Sequence, residues 1–261
     1  MLSLRATHFR SLWIWLLSLA ASGGAALVAT HALRKKPAPA IQVPQAVGQP
    51  ARPADVALPN STESDARLRD TLSGLTPREL FHHWLENDHL LDRLVVITVN
   101  LAEDQNPKRE LSFLQPTRPF KTAGDGTETI ISPHSYARYD AFANVISSLD
   151  NRRVATAYRT LHPLLESAYH ALGYPGRPLD AVVASALQRI VNAPVREEVA
   201  VRRVGPLWLY RDSQLESLGP VEKQLLRMGP RNTRLLQEEA REIAGELGFH
   251  LQGDFQAATG R

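Results

Sequence analysis

The side chains best suited to recognition lie close together in Ser135-Tyr-Ala-Arg-Tyr-Asp140. Tyr and Arg each couple a large flat surface to a hydrogen-bonding tip. Tyr136, Arg138 and Tyr139, with the carboxylate of Asp140, could therefore grip a polar ligand or a partner surface. Arg227, Arg231 and Asn232 flank a Gly229-Pro230 junction, where a helix start could hold an anion. Tyr136, Arg138, Tyr139, Asp140, Arg227 and Asn232 are taken as the candidate binding residues. The same residues have a plainer use. The tyrosines can pack a helix start, Arg138 can pair with Asp140, and the residues around Gly229 can cap helices.

Two ladders have spacings that could converge on a metal: His82, Glu86 and His89, and His162, Glu166 and His170. The first crosses an expected helix end near Asn87, and Pro163 disturbs the register of the second. A metal needs three or four ligands with supporting hydrogen bonds. Solvated or interfacial side chains are the better reading of both, and neither a metal nor a cofactor is expected. The sequence has no Gly-x-Ser-x-Gly, His-Glu-x-x-His, Ser-x-x-Lys, Walker loop or dinucleotide fingerprint. Acids are scattered throughout, so a carboxylate pair for glycoside cleavage has no distinctive signal.

Charge bounds the partners. The formal net charge is +3, with 30 Lys/Arg against 27 Asp/Glu. Arg5, Arg10, Arg34, Lys35 and Lys36 all fall within residues 1–36, which hold no acid. Taking those five from 30 leaves 25 basic against 27 acidic residues, a net of −2 for the rest. A helical pair at 220–247 could resemble a DNA reader, but that balance offers little to a phosphate backbone, and no nucleic-acid partner is expected. The chain has no cysteine. Disulfides, thiol nucleophiles and Cys-based metal sites are thereby excluded.

The elements that must position these residues begin at a membrane. Leu12 to Leu33 carries no Asp, Glu, Lys or Arg. At about 1.5 Å per residue it can cross a hydrocarbon core roughly 30 Å thick. A cleaved secretory signal is the rival reading. It is opposed by the length of the apolar stretch and by the Arg34-Lys35-Lys36 flank. Charge on the two flanks is nearly balanced, so the positive-inside rule does not set the orientation. Pro37 to Pro59 holds six prolines and six alanines in 23 residues, a tether up to about 70 Å long if polyproline-like.

Helical spacing starts at Ser64-Asp65, with Leu68, Leu72 and Leu75. Thr76-Pro77-Arg78-Glu79 reads as a capped start. His89 to Glu103 reads as a buried helix, although Val95 to Val99 could be strand. Phe120 to Ile131 reads as a β-hairpin around Gly124-Asp125-Gly126. Helices are expected from Ser132 to Asp150 and from Arg152 to Leu172. The second carries an apolar stripe of Val154, Tyr158, Leu161, Leu165, Ala168 and Leu172, with a kink at Pro163. Leu179 to Val191 reads as helix and Val195 to Tyr210 as strand or extended chain. A helix then starts at Gly219-Pro220 and another at Gly229-Pro230.

The order of these features, with Tyr136-Ala-Arg-Tyr-Asp140, Leu161-His-Pro-Leu-Leu165, Trp208-Leu-Tyr-Arg211 and Glu222-Lys-Gln-Leu-Leu-Arg-Met-Gly-Pro-Arg-Asn232, resembles the bacterial membrane-anchored proteins grouped as domain of unknown function 3014. The likeness covers roughly Asp65 to Leu247. It implies a Gram-negative envelope setting with one N-terminal span, and it supplies no reaction, ligand or catalytic residue.

The expected fold class is mainly α: one transmembrane helix, a Pro/Ala-rich tether, then a multi-helix globular domain with a small β-hairpin. The expected divisions are a basic tail at 1–11, the span at 12–33, the linker at 37–59, the domain at 64–249 and a disordered tail at 250–261. The expected function is a non-enzymatic binding or scaffolding module, held to the inner membrane by one pass and displayed on the periplasmic side. Its partners are the bilayer, through residues 12–33, and an envelope protein or cell-wall component. The alternative is an envelope enzyme such as a cell-wall hydrolase using the Tyr/Arg/Asp cluster.

Overall fold

Apolar residues at helical spacing become helices throughout the computed structural model, which describes residues 61–124, 128–174 and 176–252. Helix α1 spans Ser61–Leu72, α2 Glu79–Leu85 and α3 Leu90–Ala102. The β-branched run Val95 to Val99 is helical because Leu91, Val95, Val99 and Ala102 recur on one buried face. The expected cap at Thr76 is displaced. Helix α2 begins at Glu79, while the Thr76 hydroxyl hydrogen-bonds Ser148 Oγ at 2.8 Å and accepts from Arg78 N–H at 3.3 Å. Thr76 thus ties this turn to the distant Ser148 rather than opening the helix.

Strands β1 (Thr122–Ala123) and β2 (Ile130–Ile131) form the expected antiparallel hairpin; most of its turn, residues 125–127, lies outside the described residues. The expected helix from Ser132 to Asp150 is broken into α4 (Pro133–Tyr136), a 3-10 turn (Ala137–Tyr139) and α5 (Asp140–Ile146). Side chains have taken the carbonyls a continuous helix would use. Arg138 Nε donates to Ser135 O at 2.9 Å and Asn232 Nδ2 to Tyr136 O at 3.2 Å, so Asp140 N–H turns back to Ala137 O instead.

Helix α6 (Asn151–Ala171) runs through Pro163 as one helix, and its buried face is rotated from the expected stripe. Ala157, Leu161, Leu164 and Ala168 are buried, whereas Leu172 is 40% exposed and Tyr158 turns toward polar partners. Helix α7 is Leu179–Asn192. The extended passage proves to be a second hairpin, β3 (Val201–Val204) and β4 (Leu207–Tyr210), turning at Gly205-Pro206. Gly205, at φ 58°, supplies the positive φ such a tight turn needs. Ile130 bridges to Ala200, joining the two hairpins. The chain closes with α8 (Ser213–Glu216), α9 (Pro220–Met228) and α10 (Pro230–Leu247).

Helix α3 packs on α6 and α7, and α10 packs on α5, α6, α7 and α9. The largest core joins Leu68, Val95, Leu161, Leu164 and Val182 from α1, α3, α6 and α7. Polar groups on α10 secure the rest. Thr233 Oγ1 shares its hydroxyl between Leu225 O (2.7 Å) and Gly229 O (2.9 Å). Gln237 Nε2 reaches Ile190, Val191 and Ala193 carbonyls at 2.7–3.2 Å, binding the end of α7, where the Ile190 carbonyl also accepts from Ala193 N–H. The start of α9 is held by Asp104, whose Oδ1 accepts from Val221 N–H at 3.3 Å and whose Oδ2 lies 3.6 Å from Arg189.

Among the described residues no helix is long and apolar enough to cross a membrane. The expected tail, span and linker at 1–59 lie outside those residues, as does 253–261 at the other end. Residue 252 is tied to the domain, because Gln188 Nε2 donates to Gln252 O at 2.7 Å.

Two stability outcomes follow. Gly229 has φ 85°, and a Cβ there would come within 2.4 Å of the Tyr136 ring. Gly229→Ala should cost on the order of 3 kcal/mol in urea unfolding. A loss below about 0.5 kcal/mol would show that this close approach is absent. Glu239 is buried on α10, and its carboxyl is pushed up to about 7, first by burial and then by Glu242. Glu239 Oε1 is buried without a partner, and the Asn151 side chain, which favours the carboxylate, only partly opposes the rise. The folded state therefore keeps a proton that the unfolded chain releases near 4.5. Stability should fall as pH rises through that window, by on the order of 3 kcal/mol, and level off above about 7. Glu239→Gln should leave stability nearly unchanged at about pH 5 and raise it at about pH 8. Equal effects at both pH values would rule out the buried acid.

Candidate functional site

The residues from α4 to α5 are positioned by short polar ties. Ser132 caps α4 by accepting from His134 N–H. Ser135, fully buried, donates to Lys121 O at 2.6 Å and accepts from Lys121 N–H at 2.7 Å, fixing α4 to the chain entering β1. Arg138 then extends along Phe120. Its guanidinium lies 5.6 Å from that ring and 5.4 Å from the Tyr139 ring, with Nη1 donating to Arg118 O at 3.2 Å. Asp140 turns to α10, accepting from Asn232 Nδ2 at 2.9 Å, with Arg231 at 3.8 Å.

The structure thus brings Tyr136, Asp140 and Asn232 together, with Arg138 and Tyr139 beside them. Arg138 binds carbonyl oxygens and Asp140 binds Asn232, so the local pairing considered for these two is replaced by bonds to other elements. Arg227 is exposed and lies 5.9 Å from the Tyr210 ring. The Tyr210 hydroxyl donates to Lys223 O at 2.9 Å. Burial pushes both Tyr136 and Tyr210 up to about 12, so both phenols stay neutral. The Tyr136 hydroxyl is buried without a partner.

A second constellation sits between α6 and the start of α7. Tyr158, His162 and Glu166 are four residues apart and share one face of α6. Asp180, in the first turn of α7, accepts from the Tyr158 hydroxyl at 2.5 Å, and its Oδ1 is 3.1 Å from His162 Nε2. His162 Nδ1 lies 3.8 Å from Glu166. The hydrogen bond to Asp180 raises the His162 pKa, against the opposing effect of burial, and Glu166 adds to it. The His162 bond holds the Asp180 carboxyl below its ordinary value. Burial and Asp180 push the Tyr158 phenol far above the usual range. Tyr158, His162 and Asp180 line an open cleft of about 320 Å³, completed by Arg159, Pro163, Leu247 and Phe249.

Sequence spacing found half of this cluster. His162 and Glu166 do face each other, but His170 is exposed and packs on the Tyr169 ring. The third member is Asp180 from another helix, a pairing no periodicity within α6 could reveal. An acid just after Pro178, in the first turn of the next helix, was the available signal. In the other ladder His83, not His82, meets Glu86, at 3.3 Å, and His89 forms the left-handed residue before α3. Among the described residues no group of three or more His, Asp or Glu is arranged to hold a metal. In the cleft the imidazole, the phenol and the Asp180 carboxylate satisfy one another, an arrangement suited to holding a proton and presenting fixed polar edges to a ligand.

The matching family model is described as "Protein of unknown function (DUF3014)" and covers residues 90–244, more than half of the 261. The chain belongs to that family. The match runs from α3 to α10 and takes in both constellations. Within it the Tyr-Ala-Arg-Tyr-Asp and Met-Gly-Pro-Arg-Asn stretches, far apart in sequence, meet where Asn232 binds Tyr136 and Asp140. No curated protein and no solved structure matches the chain.

The His162–Asp180 bond predicts a pH response in two directions. The raised His162 pKa contributes stability that is full below about 6.5 and is lost as pH rises through the folded value. The lowered Asp180 pKa contributes stability that is full above 3.8 and is lost as pH falls through its folded value. An NMR titration of the imidazoles should place His162 above an ordinary histidine, and Asp180→Asn should bring it down. An unchanged titration in Asp180→Asn would show that the two side chains do not pair in solution.

Proposed function

We propose that this chain is a single-pass protein of the bacterial inner membrane whose helical domain stands on the periplasmic side as a non-enzymatic binding or scaffolding module. The observation that carries the reading is the uncharged apolar stretch Leu12 to Leu33, bounded by Arg10 and by Arg34-Lys35-Lys36. Its support for a periplasmic domain is the envelope setting implied by the family resemblance, together with the absence of cysteine. The partner is an envelope protein or a cell-wall component met by the domain surface.

Support for binding over catalysis comes from how the polar groups are used. Asn232 and Asp140 are engaged with each other, and Tyr158, His162 and Asp180 are bonded within their own cluster. Arg227 is exposed over the Tyr210 ring, and Arg138 and Tyr139 present half-exposed flat faces beside the first constellation, the kind of surface a recognition patch uses.

The absence of cysteine provides the test. With Ala46→Cys as the single thiol, a membrane-impermeant maleimide should label the chain in intact spheroplasts. Labelling only after lysis would put the domain on the cytoplasmic side and overturn the proposed location.

A further inference from the structure

The β3–β4 hairpin is apolar on the side turned away from the domain. Val201 and Tyr210 are directly opposite in register and buried against Ile131 and Leu226. Trp208, on the same side, packs against Phe120 with ring centroids 6.1 Å apart. Alternation along the strands puts Arg202, Val204, Leu207 and Leu209 on the opposite side. A hairpin with one packed face ordinarily keeps polar residues on the other. Here three of the four are aliphatic. Val204 and Leu207 are a cross-strand pair beside the turn, 42% and 61% exposed. Scattered exposed leucines need no explanation, but a paired aliphatic tip is a different feature.

Residues 201–210 carry Arg202 and Arg203 and no acid. Among the described residues neither of these arginines nor Arg211 makes an ion pair, and the acids stand at the base of the hairpin, where the charge of Glu198 acts on Tyr136. Glu197 is paired with Arg234, and Asp212 caps α8 by accepting from Gln214 N–H. An exposed aliphatic pair with Arg202 on its own side, Arg203 beside the turn donating Nε–H to Gly205 O at 3.2 Å, and a tryptophan behind matches the composition of segments that rest at a lipid–water interface. Residues 34–60, 27 in number, are all that separate Leu33 from Ser61, and fully extended they reach about 90 Å. A domain tied that closely to a bilayer meets lipid at high effective concentration, so a weak contact is sufficient.

We infer that the tip of the β3–β4 hairpin docks on an anionic lipid surface, with Val204 and Leu207 entering the headgroup layer and Arg202 and Arg203 meeting the phosphates. This deepens the membrane reading of residues 12–33 and rests on it. Docking would hold the domain against the bilayer in one orientation instead of leaving it free on its linker.

The test uses the full chain with one engineered thiol, Pro206→Cys, carrying an environment-sensitive fluorophore. The protein is reconstituted in vesicles of phosphatidylcholine alone or mixed with phosphatidylglycerol, each with brominated lipid as a contact quencher. The dye should be quenched in the mixed vesicles, less so in phosphatidylcholine and less at high salt. Adding Leu207→Ser, or Arg202→Glu with Arg203→Glu, should reduce quenching by about threefold or more. A second label, Ala21→Cys, reports the span. Quenching at Ala21→Cys without quenching at Pro206→Cys would overturn the docking and leave the span intact. No quenching at Ala21→Cys would overturn the membrane reading and the docking with it. A blue shift at the tip that grows with protein per lipid but shows no quenching would assign the surface to a second copy of the chain, and would also overturn it.

Discussion

Asn232 Nδ2 donates within a pocket bounded by Met228 O, Tyr136 O and Asp140 Oδ1, at 2.9–3.2 Å, and the residue is 1% exposed. A buried polar group is costly unless it is paired, and leaving one unpaired costs about 1–3 kcal/mol. That penalty fixes geometry on three sides. It sets where α9 must stop, how the chain must turn at Gly229, and how far α4 may continue. Once Tyr136 O is committed to Asn232, the helix expected from Ser132 to Asp150 cannot run straight. It changes to a 3-10 turn and restarts as α5. Gly229 is required at the same place because the Tyr136 ring occupies the space of a Cβ.

The same logic extends along α10. Thr233 and Gln237 follow Asn232 on the buried side and bind carbonyls of α9 and of the end of α7. Helix ends leave carbonyl groups unpaired, and a side-chain amide arriving from another helix satisfies them while fixing the packing. Asp104 does the reciprocal task for a helix start, receiving Val221 N–H while lying beside Arg189. Its carboxylate fills the space a side chain at residue 219 would need, which is why glycine stands there. The domain is therefore braced at its helix termini by polar groups and filled between them by Leu, Val and Ala.

Much of this fold was legible in the sequence. Gly219-Pro220 and Gly229-Pro230 mark the starts of α9 and α10, and Val221, Leu225 and Met228 are buried as their spacing requires. The limits of α3 and α7 were equally plain from apolar periodicity. What failed were inferences in which a local rule met a distant partner. Thr76 had the residue type of a cap but bonds Ser148. The α6 stripe was drawn through Tyr158 and Leu172, yet Tyr158 is drawn out of it by Asp180. The candidate binding residues were found as types, but whether each faces a ligand or its own fold depends on contacts across ninety residues.

Sequence by itself determined the helical class, the positions of most helix ends, the family, and the absence of any Cys-based chemistry. These depend on residue type and on short-range spacing, which the linear chain contains in full. Tertiary structure alone decided that Asn232 is a brace, that His162 pairs with Asp180 instead of His170, and that Val204 and Leu207 stand exposed at a hairpin tip. Each of those outcomes is a competition for a buried hydrogen bond or a packed surface between residues distant in sequence. Only the folded chain brings the competitors within reach of one another.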